Sequence, residues 1–137
     1  MQPLSGVRVL DLSRILAGPH AAQTLSDLGA EVLKLEAPWG DDTRSWGPPF
    51  QPGFDGDDVA SYFLACNRGK RIETVNIKQE QARIRSLIAE VDIVIENFKP
   101  GTFEGVVGDV PPGVIVCSIS GYGQDGPRRD EVAFDLT

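Results

Sequence analysis

Apolar positions along the chain follow two periods. Val7–Leu12 (VRVLDL), Glu31–Glu36 (EVLKLE), Ile72–Ile77 (IETVNI), Val91–Glu96 (VDIVIE) and Gly113–Ile119 (GVIVCSI) are short runs rich in β-branched residues. Such runs, bounded by turn residues, read as buried strands. Between them the spacing changes. His20–Leu28 places Ala21, Leu25 and Leu28 at helical intervals, with Pro19 in the first turn and Gly29 at the left-handed C-cap position. Gln79–Glu90 gathers Ala82, Ile84, Leu87 and Ile88 near one face, and Val59–Ala65 suits a shorter helix. Strands alternating with helices predict an α/β fold, a doubly wound and mostly parallel sheet.

The stretch 37–58 breaks this rhythm. It holds four Pro, four Gly and five Asp together with Trp39, Trp46, Phe50 and Phe54. A disordered linker lacks such aromatics, so the expectation is a long ordered loop pinned by aromatic anchors. The whole chain is 137 residues, a single-domain length, with a net charge of −7. That balance argues against a nucleic-acid binder, which needs a basic stripe. No apolar run reaches the roughly 18 residues of a membrane helix, and the first residues do not read as a signal peptide. Cys66 and Cys117 lie far apart and only one His is present, so no metal site is expected. Both cysteines are expected to be buried thiols in a reducing, cytoplasmic compartment.

In open α/β sheets, ligands collect at the carboxyl ends of the strands. Four segments are placed there by the pattern: Ser13–Pro19, the loop after Glu36, Asn97–Gly101 and Ser120–Pro127. With the basic turn Arg68–Arg71 they suit a phosphorylated, nucleotide-like ligand. By residue type alone, that turn is more often simply solvated. Neither GxGxxG nor GxxxxGK[ST] is present, which disfavours a plain NAD domain or a P-loop NTPase. Asp11, Glu36 and Glu96 end strands and are expected to bind loop N–H groups. His20 is expected on the surface. No Ser-His-Asp or Cys-His constellation can be assembled, and no catalytic residue is assigned.

Pro3–Glu36 (PLSGVRVLDLSRILAGPHAAQTLSDLGAEVLKLE) resembles the start of the family III CoA-transferases. This CaiB/BaiF group includes formyl-CoA transferase, carnitine CoA-transferase and the α-methylacyl-CoA racemases. The resemblance continues through Gly40–Arg44 (GDDTR), Asn67–Arg71 (NRGKR), Asp92–Gly101 (DIVIENFKPG) and Cys117–Pro127 (CSISGYGQDGP). It implies that residues 1–137 are an N-terminal, Rossmann-like CoA-binding segment, part of a large domain. It further implies coenzyme A or acyl-CoA as substrate, a carboxylic acid acceptor and no metal. The family's assembly is an interlocked homodimer; a complementary chain supplying the rest is the other arrangement considered. By the same resemblance, CoA contacts fall on the loop Leu16-Ala17, on the strand Val75-Asn76-Ile77-Lys78 and on the turn Asn97-Phe98-Lys99. Two phosphate-binding arginines of relatives are replaced here by Ala37 and Gly105, and Thr102–Val116 is shorter than usual.

Family members are much longer than this chain. Their nucleophilic aspartate lies downstream of the matched positions, and Asp135 belongs to an earlier one. That carboxylate forms a mixed anhydride with the acyl group and then a CoA thioester. The chain alone is therefore expected to be inactive. Two other readings are a non-catalytic CoA- or nucleotide-binding module and a racemase fragment. Racemases carry His before the position of Asp135, where this chain has Phe134, which weighs against the latter.

Overall fold

The computed structural model describes residues 2–53 and 56–134. The elements run β1 (Arg8–Asp11), α1 (Ala17–Asp27), β2 (Glu31–Glu36), a 3-10 turn (Asp42–Ser45), β3 (Phe50–Pro52), β4 (Asp58–Ala60), α2 (Ser61–Asn67), β5 (Arg71–Thr74), α3 (Gln81–Ile88), β6 (Ile93–Glu96), α4 (Thr102–Val107) and β7 (Ile115–Ser118). Among the described residues, five strands form one parallel sheet in the order β5-β2-β1-β6-β7. Arg71, Leu33, Leu10, Val94 and Val116 form one row across it. The chain builds outward from β1 to β5, then returns to the other side of β1 to lay down β6. The gap between β1 and β6 is thus the topological switch point, where open sheets bind ligands.

Alternation along each strand sorts side chains to two faces. Leu10, Leu12, Leu33, Leu35 and Val94 join Ile84 and Ile88 of α3 and Phe103 and Val107 of α4 in one buried cluster. Val9, Val32 and Ile95 point the other way, onto Ala22 of α1. Helices on both faces account for strands that are apolar along most of their length.

Several expectations need correction. The segment 37–58 is not loop throughout: it holds the 3-10 turn and β3, and β3 pairs antiparallel with β4, which starts at its last residue. Aromatic rings anchor it only in part: Trp46 meets Tyr62 of α2 edge-on with ring centroids 5.7 Å apart. Trp39 is 73% exposed, and Trp46 and Phe50 are also exposed; Phe54 lies outside the described residues. Polar groups hold the rest of the segment. Asp41 caps the 3-10 turn by accepting from the Thr43 N–H and hydroxyl, and Arg44 makes a two-point pair with Glu36. The helix expected over Val59–Ala65 runs Ser61–Asn67, behind the short β4. The strand expected over Ile72–Ile77 ends at Thr74, because Asn76 donates its N–H to the Glu80 carboxylate and turns the chain toward α3. Cys66 is buried but Cys117 is exposed. It belongs to β7, an edge strand whose Ile115 is 62% exposed. Among the described residues no helix is long and apolar enough to cross a membrane.

Candidate functional site

Three strand ends carry a buried carboxylate, and each orders the loop that follows it. The Asp11 carboxylate accepts from the Ser13 N–H at 3.0 Å and from the Ser13 hydroxyl. Glu36 accepts from the Asp41 N–H at 3.3 Å, and Glu96 from the Phe98 N–H at 2.8 Å. Polar side chains bonding the backbone a few residues on are how a chain leaves a strand without orphaned N–H groups. The expectation for Asp11, Glu36 and Glu96 is met residue by residue.

These loops meet over the switch point. Asn97 Oδ1 accepts the Arg14 N–H at 2.9 Å, and Asn97 Nδ2 donates to the Arg14 carbonyl at 2.8 Å. The Ile15 N–H reaches the Asp41 carboxylate at 3.4 Å, and the Arg14 guanidinium pairs with Asp42. Between them lies a cleft of about 320 Å³ lined by Arg14, Ile15, Asp42, Asn97, Phe98 and Lys99. Helix α1 starts at its rim, with Leu16 as N-cap and no acidic residue in the first turn. A helix N-terminus with no acidic residue of its own favours an anion, and Lys99 adds positive charge, while the charge of Arg14 is balanced by Asp42. Phe98 is half-buried and supplies an aromatic wall.

Beneath the loops the carboxyl end of the α1 face of the sheet buries charged side chains. Lys34 Nζ pairs with Asp41 at 3.2 Å and donates to the Ser13 carbonyl at 2.8 Å, with both charged side chains almost fully buried. Lys70 Nζ pairs with Asp11 at 2.8 Å and donates to the Pro19 carbonyl and to Asn67 Oδ1. Burial works to raise the pKa of Asp41. Hydrogen bonds from Thr43 and the charge of Lys34 outweigh it and hold the carboxyl below its usual value. For Lys70, burial dominates and lowers the ammonium pKa, with Asp11 opposing. Burial likewise raises the Cys66 thiol.

The structure gathers some of the anticipated residues and separates others. Asn97, Phe98 and Lys99 line the cleft, and Leu16 and Ala17 follow Ile15 at its edge. The group Val75–Lys78 is at the same end of the sheet, but after β5, two strands from β1 and so about 10 Å away along the sheet. Val75 is buried in the core and gives its N–H to the Glu36 carbonyl; Ile77 packs half-buried against the same core, Asn76 is half-buried, and Lys78 is exposed at that end. The basic turn Arg68–Arg71 is neither solvated throughout nor near the cleft. It precedes β5, Arg68 pairs with Asp27, and Lys70 is engaged by Asp11. Ser120, just past β7, has a buried hydroxyl with no hydrogen-bond partner among the described residues. Asp135 lies outside those residues. Arg14, Ile15 and Asp42 line the cleft without having been singled out. The sequence pattern brings their segments to the same end of the sheet as Asn97, and the strand order adds that β1 and β6 are neighbours, so that Arg14 faces Asn97 directly. Among the described residues no three His, Cys, Asp or Glu side chains are grouped to hold a metal.

The chain is similar to proteins of known activity. It is 45% identical to succinyl-CoA:glutarate CoA-transferase of Mus musculus, over 98% of this chain and 32% of that protein. It is 46% identical to succinate–glutarate CoA-transferase of Agrobacterium fabrum, over 97% of this chain and 36% of that protein. The crystal structure of a CAIB/BAIF family protein from Brucella suis superposes with a TM-score of 0.93 at 48% identity, covering 98% of this chain and 38% of that one. The chain thus spans about a third of the length of the curated relatives it matches. The family model for CoA-transferase family III matches residues 4–137, and the chain belongs to that family.

Proposed function

We propose that this chain forms the CoA-binding part of an enzyme that moves CoA from an acyl-CoA to a carboxylic acid. The observation that carries the reading is the cleft over the β1–β6 switch point, lined by Arg14, Asn97, Phe98 and Lys99. The α1 N-terminus and Lys99 suit the phosphates, with Arg14 able to join them by exchanging Asp42 for phosphate; the Phe98 ring suits the adenine, and Asn76–Lys78 offers a second contact at the sheet edge. Ala37 and Gly105 stand where relatives carry arginine, so phosphate is held without a bidentate guanidinium at either position.

The relatives' names suggest succinyl-CoA as donor and a dicarboxylate such as glutarate as acceptor. In the transfer, a carboxylate attacks the thioester carbonyl and the CoA thiolate departs, leaving a mixed anhydride. The thiolate then attacks the anhydride, releases the first acid and forms an enzyme-bound CoA thioester. The acceptor carboxylate repeats these steps in reverse. On this reading the attacking carboxylate lies outside the 137 residues, supplied by a longer polypeptide or a second chain, and the working assembly is the family's interlocked dimer.

The chain alone is therefore expected to transfer no CoA. Incubation with labelled succinyl-CoA and glutarate tests this. Turnover above background that survives Asp135→Ala contradicts the reading that the nucleophile lies elsewhere. Turnover abolished by that substitution makes Asp135 the nucleophile instead.

A further inference from the structure

Ile15 has φ of 72°, and no other non-glycine residue among those described has a positive φ. A β-branched residue is a genuine outlier there, and such conformations persist only where surroundings over-determine them. The surroundings do so from both sides. Upstream, the last β1–β6 ladder bond runs from the Leu12 N–H to the Ile95 carbonyl. The Asn97 carboxamide then continues the pairing with two bonds to the Arg14 backbone, as a further strand residue would. Downstream, Gly18 packs so closely on Ser13 that a Cβ at Gly18 would meet the Ser13 Cβ at 2.2 Å. The Ser13 carbonyl is itself held by buried Lys34. Both ends of the Asn97 carboxamide are engaged by Arg14.

We propose that Asn97 is a positioning residue. Its carboxamide locks Arg14, keeps Ile15 left-handed, and so aims the first N–H groups of α1, at Leu16 and Ala17, into the cleft. This rests on the reading of the cleft as the CoA site, and it reassigns Asn97 from a ligand contact to the support of one. A protein whose loop is correct only part of the time binds in proportion to that fraction.

The test is a double-mutant cycle between Asn97→Ala and Ile15→Gly. Glycine adopts positive φ without strain, so Ile15→Gly makes the clamp redundant. Asn97→Ala alone is expected to weaken CoA binding about tenfold and to speed hydrogen exchange of the position-15 amide, whose bond to the Asp41 carboxylate forms only while Ile15 stays left-handed. The double variant is expected to recover most of both. Were Asn97 instead to touch CoA itself, glycine at position 15 would restore nothing. Failure of the rescue therefore overturns the proposal, as does unchanged exchange in Asn97→Ala. Asn97→Asp, which keeps the acceptor and loses the donor, gives an intermediate exchange rate and serves if the alanine variant does not fold. Exchange is read without ligand. If the wild-type chain binds no CoA, the reading of the cleft fails, and the exchange arm alone still decides the clamp.

Discussion

The two faces of the sheet are built from the same strands and differ in what they bury. On the α3–α4 side, Leu10, Leu33 and Val94 pack against Ile84, Ile88 and Phe103, an apolar core. On the α1–α2 side, Val9 and Val32 begin the same way, but toward the carboxyl ends the strands place Asp11, Lys34 and Glu36 where apolar residues would serve stability as well. Replacing buried ion pairs by well-packed apolar groups is often neutral or stabilising. The charged end therefore makes sense as a means of shaping loops. These charges fix backbone groups of the loops around the cleft: Asp11 holds the Ser13 N–H, Lys34 the Ser13 carbonyl and Glu36 the Asp41 N–H, while Asp41 in turn meets the Ile15 N–H. One face holds the fold together, and the other holds the site in shape.

Breaking a buried pair separates the two roles most sharply. Asp11→Leu leaves the Lys70 ammonium buried beside no carboxylate and is expected to cost about 3–5 kcal/mol in urea unfolding. Adding Lys70→Met is expected to restore most of that stability without restoring CoA affinity, since the Ser13 loop still lacks its acceptor. Full recovery of affinity in the double variant contradicts a loop-shaping role. Acid is expected to act on the same face. Asp41 titrates lower in the fold than its usual 3.8, so its contribution is complete above that value and fades as pH falls through the lower, folded value. Asp41→Asn is expected to flatten this acid limb, which denaturant midpoints across the acid range detect. On the apolar face, Ile88→Val is expected to cost only about 0.5–1.5 kcal/mol, with CoA affinity unchanged. Smallest is Ile115→Lys on the exposed β7 edge, expected to change stability in urea unfolding by no more than about 0.5 kcal/mol because the side chain already faces solvent.

How far the sequence carried this picture depends on run length. Strands buried on both faces are legible because β-branched runs such as IVIE between turns have few other uses. Their order is not, because it depends on which strand β6 joins, and the switch point follows from that choice. Helix α4 escaped notice: six residues, TFEGVV, are too few to display a period, and Gly105 interrupts them. The β3–β4 hairpin is hidden for the same reason, with three residues per strand. The end of β5 was overrun because Val75 and Ile77 keep alternating after Asn76 has begun to turn the chain. Motif resemblance points to Leu16-Ala17 and Asn97-Phe98-Lys99, and the structure puts the latter three in the lining of the cleft. The resemblance could not show Lys70 reaching Asp11 across 59 positions, which turns an apparent phosphate-binding cation into an internal one.

The central claim is that the ligand site is the carboxyl-end cleft over β1 and β6. The opposite end of the sheet provides the control. There a groove of about 310 Å³ runs among Arg8, Glu31, Arg71, Leu87 and Glu90, at the amino ends of the strands. Titrating CoA into isotope-labelled chain and following backbone amide shifts distinguishes the two directly. Saturable shifts at Ile15–Ala17 and Asn97–Lys99, with Arg8, Arg71 and Glu90 unmoved, are the predicted result. Shifts confined to the amino-end groove, or none at millimolar CoA in a folded chain, would contradict it.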